Sequence, residues 1–416
     1  MLPRKFWLLL VAITLVAFGL RLWIAAEYQG LSSPPDLEAN PDQGDYEALG
    51  WRLAAGAGFS HEDGTPTAFR APGTPVLIET VYIVFGHNRA AVRVVFCLLS
   101  ALTCLLAGMI AAEAFGNLAG LFAALLLALL PNHVYYAQHM LSETPYAFAI
   151  AVACLWVVLS RQERGYWLFD LGAGLMFGLA FLTRPQSALC MPIFGCLALL
   201  GATRSRRAAL LQIARMGSVF ALVVVPWMVR NQIELGTLAP TTLSGQVFWG
   251  AHNSTVAADP DLVGSWIPIE GLVDEQHRLP QDEPGATRAA WGYGLDFLRE
   301  HPGEVPRLLF WKLVRQYSPF QWTPNRLVYW SFAIAWLVVG PLCVVGLWLG
   351  WRRSRANVIV LLVPMLSTLA TGLVFYGAGR FRDGEAGLYV VLAGAALAAV
   401  APLRWKAWAG DPVPTA

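Results

Sequence analysis

The chain has little charge. Asp, Glu, Lys and Arg make up only 13% of its 416 residues, about half the share of an ordinary soluble domain, which excludes a mainly water-exposed surface. Lysine is rarer still: of 29 basic residues only Lys5, Lys312 and Lys406 are lysine, a usage that suits a GC-rich bacterial genome. The net charge of +2 offers no basic field for nucleic acid. Polar stretches contain no cysteine. The six present (Cys97, Cys104, Cys154, Cys190, Cys196 and Cys343) fall in apolar runs without metal-type spacing, so they read as small core residues and not as a disulfide framework. A glycine-rich phosphate loop is missing, as is any internal repeat at a period of 20–50 residues. A nucleotide held in a Rossmann or P-loop pocket is therefore not the expected donor. His133 and His139 stand six apart, not at the four-residue spacing of a helical metal pair. No cofactor is called for, and a divalent metal stays open.

What the chain does have is apolar length. Hydrophobic residues reach 56% and recur in runs of about 20, the length that crosses a bilayer as helix. The expected fold is an all-α polytopic membrane protein with about ten spans, at 6–26, 90–112, 118–134, 144–160, 167–184, 186–202, 208–229, 328–350, 357–376 and 386–403. The first run reads as a retained anchor, since no small-residue cleavage site follows it. Short-loop Lys and Arg favour the cytoplasm. With both termini inside, Arg4/Lys5, Arg161/Arg164, Arg204/Arg206/Arg207, Arg352/Arg353/Arg355 and Arg404/Lys406 all land on that side. The apolar stretch 74–86 (TPVLIETVYIVFG) is short for a span and contains Glu79, so it is expected to lie in the outer interface.

This topology divides the chain into an N-terminal membrane module (1–229), an outer loop (230–327) and C-terminal membrane helices (328–416). The first outer loop, 27–89, lies inside the first unit. The outer side then holds 23 of the 27 Asp and Glu, all but Glu113, Glu163, Asp170 and Asp411, together with all seven His. A structural bundle has no reason to gather its titratable groups on one face; an enzyme working at the outer surface does. Residues 236–290 read as irregular. Within 291–318, Trp311, Leu308 and Val314 fall opposite Arg307, Lys312 and Arg315, an amphipathic pattern suited to the interface.

The first loop carries Asn40-Pro41-Asp42-Gln43-Gly44-Asp45-Tyr46-Glu47, and Tyr46, Leu49 and Leu53 follow at helical spacing. On spacing alone, Asp42 and Asp45 read as helix-capping acids. Glu143, after Ser142, reads equally well as an acid in a first helical turn. The order of motifs gives them another meaning. Asp42-x-x-Asp45-Tyr46, Arg70-Ala71-Pro72-Gly73-Thr74-Pro75, Leu141-Ser142-Glu143 and Arg380-x-Arg382 occur in sequence, and together they resemble the polyprenyl-phosphate-sugar-dependent glycosyltransferases of the GT-C type. The nearest group is family 39, with its protein O-mannosyltransferases and lipid A aminoarabinose transferases.

That resemblance implies transfer of a sugar from a polyprenyl-phosphate carrier to an acceptor hydroxyl on the outer face of a bacterial inner membrane. The acceptor would be an envelope lipid, polysaccharide or protein. It implies Asp42 as catalytic base, with Asp45 and Glu143 as further catalytic acids. Tyr46, Arg70, His139, Arg380 and Arg382 would be substrate contacts, the arginines holding the phosphate. The chemistry suits the residue types: a carboxylate takes the acceptor proton, and arginine pairs with phosphate oxygens. The phosphate site would be a cavity walled by 74–86 and by 305–317. The sequence departs from the family where Asp383-Gly384-Glu385 follows the arginine pair, so these acids either orient the arginines or mark a different site. A transporter or flippase for a lipid-linked sugar is the alternative, which the absence of repeats disfavours.

Overall fold

The computed structural model describes residues 3–162, 167–199, 206–321, 323 and 325–411. Glu163, Arg164 and Arg204 of the expected topology lie outside them. In chain order the helices are α1 (Arg4–Tyr28), α2 (Asp42–Ala54), α3 (Gly73–Phe85), α4 (Arg89–Phe115), α5 (Asn117–Leu129), α6 (Pro131–Ala137), α7 (Glu143–Gln162), α8 (Trp167–Thr183) and α9 (Cys190–Leu199). They continue with α10 (Arg206–Leu235), α11 (Ser244–Ala251), α12 (Ser254–Ala258), α13 (Glu283–Glu300), α14 (Val305–Tyr317), α15 (Arg326–Val374), α16 (Gly379–Asp383), α17 (Ala386–Val400) and α18 (Leu403–Trp408). Among the described residues no strand forms beyond one isolated bridge, Ser60 with Pro66.

Where it is described, each of the ten expected segments falls mainly on helix, and the chain is a multi-pass, helical membrane protein. Among the described residues, five helices qualify as spans by length and composition, or six when the bent pair α5–α6 is taken as one. The other expected spans fall on apolar helices of 10–17 residues or share α15, so helix length does not confirm a count of ten. The 49-residue α15 breaks at Ser354, whose φ of −152° and ψ of 77° are not helical. This break separates the two runs read as 328–350 and 357–376, and the Arg352–Arg355 cluster sits on it. At 13 residues, α3 is about 20 Å long, well short of a bilayer's hydrocarbon core.

The core forms around α17, whose residues Ala386 to Ala396 are all buried. A helix apolar on every side has nowhere to go but inside. Small residues let its neighbours approach to backbone contact: a Cβ at Gly394 would meet the Ala119 carbonyl at 2.6 Å, and one at Gly346 the Leu392 carbonyl at 1.8 Å. Such close seams are how helices pack in lipid, where burial itself gives little drive. All six cysteines are free, and only Cys196 is exposed.

The 59° bend between α5 and α6 also has a residue-level cause. Pro131 has no N–H to give the Leu127 carbonyl. Arg21, buried in α1, donates instead to the carbonyls of Leu127 and Ala128, both at 3.1 Å. A charge inside the first span was not anticipated; freed carbonyls at the bend are what satisfy it.

The outer loop departs most from expectation. Residues 236–290 are not simply irregular, since α11, α12 and the start of α13 lie there. In α14 the buried face is Leu308, Lys312 and Gln316, while Phe310, Trp311, Leu313 and Val314 are exposed. Lys312 was expected on the polar side, yet it turns inward and donates to the Leu373 carbonyl at 3.0 Å. Trp311 and Val314 stay outside, as an interface-lying helix requires, but Leu308 and Lys312, read as lying on opposite sides, both turn inward.

Candidate active site

Three carboxylates and three arginines meet where α2, α7 and α16 begin. Pro41 sets the entry to α2, but the acids after it do not cap the helix. The Asp42 carboxylate accepts from Arg70 Nη2 through Oδ1 and from Arg380 Nη1 through Oδ2, each at 2.7 Å. Asp45 accepts from Arg70 Nε at 2.9 Å and Nη2 at 2.8 Å. Glu143 pairs with Arg184 Nη1 at 2.7 Å and with Arg380 Nε. The groups thus alternate in sign from Asp45 through Arg70, Asp42, Arg380 and Glu143 to Arg184. This argues against capping at α2: its acids satisfy guanidiniums, and no side chain caps the helix.

The electrostatics follow. Burial works against an ionised Asp42, but Arg380 and then Arg70 outweigh it and hold the carboxyl well below the ordinary range. Asp42 is charged and fully engaged in the resting site.

Several elements fix the arginines. Arg70 precedes α3, which packs on α2 and on the end of α8. At that end a Cβ on Gly73 would come within 2.9 Å of the Leu182 carbonyl, so glycine is required for the approach. The stretch before Arg70 is held by Glu283 at the start of α13. Its carboxylate accepts from Thr67 Oγ1 at 2.5 Å, the Ala68 N–H at 3.0 Å and Thr242 Oγ1 at 2.6 Å. Arg380 follows Gly377-Ala378-Gly379, which runs against the outer loop: a Cβ at Gly377 would lie 2.0 Å from the Lys312 carbonyl, and one at Gly379 2.4 Å from the Gln321 side chain.

A cavity of about 540 Å³ opens beside this array. Asp42, Tyr46, Arg70, Ser142, Arg184, Gln186, Tyr376 and Arg380 give it a polar lining. Phe181, Ala188, Leu189, Val247, Ala370 and Val374 give it an apolar one. Leu189 and Val374 are 39% and 47% exposed, so the apolar part reaches the outside of the bundle.

The structure therefore brings Asp42, Tyr46, Arg70 and Arg380 onto one cavity, with Asp45 and Glu143 backing the arginines. Two expected contacts do not join them. His139 is buried against Gln29, whose amide lies 3.0 Å from Nδ1, and against the Tyr135 ring at 4.4 Å. Arg382 points the other way, donating to the Ser318 carbonyl at 3.1 Å and stacking 3.9 Å from the Trp336 ring centre. Alternate residues of a short helix face opposite sides, which is why the Arg-x-Arg pair splits. Nor do the two acids that follow orient Arg380. Asp383 accepts from Asn132 and Gln321 at 2.9 Å and Trp336 at 3.0 Å, and Glu385 from Tyr146 at 3.0 Å. Neither α3 nor α14 lines the cavity, contrary to expectation; its walls come from α8, the approach to α9, residues 240–247 and the end of α15.

Three contributors were missed or ranked low. Arg184 stands just before Pro185 at the end of a span, where an arginine ordinarily reads as an interfacial anchor. Tyr376 and Glu283 carry no motif. The glycines flanking Ala378 were the available signal for a close approach ahead of Arg380. Among the described residues no group of three or more His, Cys, Asp or Glu stands where a metal could be held. Asp42 and Glu143 share Arg380 between them, and its charge opposes a cation there.

Comparison with known proteins agrees with this layout. Residues 69–229 match the family model described as dolichyl-phosphate-mannose-protein mannosyltransferase. No curated protein matches the chain. Among solved structures, the oligosaccharyltransferase AglB of the archaeon Archaeoglobus fulgidus, in complex with an inhibitory peptide and a dolichol-phosphate, superposes with a TM-score of 0.58 at 14% identity, over 95% of this chain and 50% of that one. The same enzyme tethered to an acceptor peptide gives 0.56 at 16% identity, over 95% and 50%. ArnT of Cupriavidus metallidurans bound to undecaprenyl phosphate gives 0.46 at 16% identity, over 95% and 78%. The chain spans about half the length of the AglB structures. The chain thus shares its overall fold with AglB, and its residues 69–229 are similar to the mannosyltransferase family model.

Proposed function

We propose that this chain is a GT-C-type glycosyltransferase that transfers a sugar from a polyprenyl-phosphate carrier to an acceptor hydroxyl at the outer face of the membrane. One observation carries the reading: Arg70 and Arg380 converge on Asp42 at a cavity that is cationic where they stand and apolar beside them. A lipid phosphate has both of these chemistries. AglB, which shares the fold, was solved with a dolichol-phosphate, and the family model that matches residues 69–229 is named for a dolichyl-phosphate sugar donor; both support the choice of carrier.

In the proposed reaction the acceptor oxygen bonds to the anomeric carbon and the bond from that carbon to the phosphate oxygen breaks. Asp42 takes the acceptor proton, and polyprenyl phosphate leaves with a second negative charge. Arg70 and Arg380 stabilise that charge, and Arg184 with Glu143 sets the position of Arg380. Tyr46, whose ring centre lies 5.6 Å from the Arg70 guanidinium carbon, shapes the wall beside the phosphate. Placement in a bacterial inner membrane, with the site outside, rests on the distribution of Arg and Lys over the short loops.

The test uses purified protein in liposomes and a panel of polyprenyl-phosphate sugars, reading release of polyprenyl phosphate. Wild type should release it and Asp42→Asn should not, with unchanged topology and yield. Full turnover by Asp42→Asn would remove the central claim. Movement of the sugar lipid across the bilayer without release would favour transport instead. Mass spectrometry of surface lipids and glycans from a deletion strain against its parent identifies the acceptor.

A further inference from the structure

A second cavity, of about 410 Å³, lies at the other end of the bundle. It is lined by Phe115 of α4, Leu349, Gly350 and Arg353 of α15, Ala395, Ala398 and Ala399 of α17, Leu403 and Lys406 of α18, and Asp411. The second half of α15, from Arg355 to Val374, separates it from the candidate active site. Twenty helical residues span about 30 Å, the thickness of a bilayer's hydrocarbon core. If one site faces the outer leaflet, this cavity faces the inner one.

Its charge is not balanced. Asp411, the acid in its lining, is committed elsewhere: its carboxylate accepts the N–H groups of Asn117 at 2.6 Å and Leu118 at 3.1 Å and so caps α5. Among the described residues, the Lys406 ammonium donates only to the Ala399 carbonyl at 3.2 Å, and Arg353 makes no ion pair. The neighbouring arginines are occupied differently: Arg352 stacks 3.9 Å from the Trp348 ring centre and Arg355 5.8 Å from that of Trp351. Two cations without an ion pair among the described residues therefore meet at one cavity whose wall is apolar apart from Asp411, and the lining keeps a net positive charge. On α18, Leu403, Trp405 and Trp408 are 56%, 47% and 54% exposed, the placement of residues that sit at headgroup level.

We propose that this cavity binds the headgroup of an anionic phospholipid of the inner leaflet, its phosphate between Arg353 and Lys406 and its acyl chains along Leu349, Ala395 and Leu403. A basic pocket between helices at the cytoplasmic surface has the charge for such a headgroup, and the apolar wall distinguishes the site from a plain basic surface. It would tie α18 and the Ser354 break to the lipid around them.

The test is retention of spin-labelled phosphatidylglycerol, compared with spin-labelled phosphatidylcholine, by the full chain in phosphatidylcholine nanodiscs. Wild type should hold the anionic label preferentially, and Arg353→Gln/Lys406→Gln should lose that preference by roughly thirtyfold. Arg352→Gln/Arg404→Gln removes the same charge at the same end without touching the cavity and should keep it. Equal loss in both double variants would mean a diffuse surface effect and overturn the proposal, as would equal binding of the two lipids or displacement of the label by inorganic phosphate. Should the first pair fail to fold, Lys406→Gln alone should lower the preference about fivefold, and no change would count against the site.

Discussion

Asp42 and the donor phosphate compete for the same two arginines, and this has a counterintuitive consequence. In the resting site Asp42 occupies Arg70 and Arg380 with one charge-assisted bond each, both 2.7 Å. The side chains are only 14%, 30% and 22% exposed for Arg70, Arg380 and Asp42, so water screens them weakly. A bond of this kind is worth about 1.5–3 kcal/mol, and a phosphate entering the cavity must displace at least one. Asp42→Asn keeps the size of the side chain and removes the competing charge. It should abolish transfer yet bind free polyprenyl phosphate roughly ten- to a hundredfold more tightly than wild type. Asp45→Asn, which releases Arg70 alone, should tighten binding less. Displacement also explains how so acidic a group serves as base: once the arginines turn to the phosphate, the Asp42 carboxyl returns toward its ordinary range, where it holds a proton better. The assay is equilibrium binding of polyprenyl phosphate to purified protein, with thermal unfolding as the control for structure. Unchanged or weaker binding by a well-folded Asp42→Asn protein would refute the competition.

The other predictions test how the arginines divide their work. Arg380→Gln should raise the KM for donor by at least tenfold, while Arg382→Gln should leave KM alone and lower thermal stability, because only Arg380 lines the cavity; equal effects on KM would show that the pair acts together after all. Arg184→Met leaves the buried Glu143 with Arg380 as its sole ion-pair partner and should destabilise by about 3 kcal/mol, read from thermal unfolding in detergent. Burial pushes Lys312 down to about 7 from 10.5, so between those values the unfolded chain binds the proton more tightly than the folded one. Stability should then rise with pH from about 7 toward 10.5 and stay level below 7, and Lys312→Met should lose that slope; an equal slope in the variant would place the titration elsewhere. Gly377→Ala pushes the chain before Arg380 off the Lys312 carbonyl it would otherwise strike at 2.0 Å, and turnover should fall about a hundredfold while helix content stays unchanged.

The sequence made the helices legible because long apolar runs and a positive-inside pattern are properties of composition over some twenty residues at a time. It even placed the break in α15, since Arg352, Arg353 and Arg355 interrupt the hydrophobic run there. Asp42, Arg70 and Arg380 were legible through their order along the chain. What was hidden depends on direction. Arg380 and Arg382 look equivalent in sequence, yet about half a turn of helix sends the second toward Trp336. His139 sits in a polar stretch, but the bend after α6 buries it against Tyr135. For α14 the apolar Trp311 and Val314 face outward as an interfacial helix requires, but Lys312 is buried on backbone carbonyls beside Leu308. Residue type gives an amphipathic pattern; which side counts as inside is set by the partner surface.

The alternating array also bears on why transfer at this site would need little rearrangement. Arg70, Arg380 and Arg184 carry three positive charges, and Asp45, Asp42 and Glu143 carry three negative ones, so the resting array is neutral. A phosphodiester donor adds one negative charge. In the proposed reaction Asp42 becomes neutral as it takes the acceptor proton, while the departing phosphate goes from one negative charge to two. The sum over the array is unchanged. What moves is a single charge, from Asp42 to the phosphate, between two groups that meet the same pair of guanidiniums. Donors already in place around both ends of a charge shift stabilise the transition state without reorienting at the moment of reaction. A lone arginine on the phosphate side would have to oppose the separation from Asp42, because its pull on the carboxylate would weaken as the proton arrived. Arg380 avoids this because Glu143 holds it through Nε and leaves Nη1 as the end that faces Asp42. The buried acid thus acts by fixing the guanidinium that both reacting groups share.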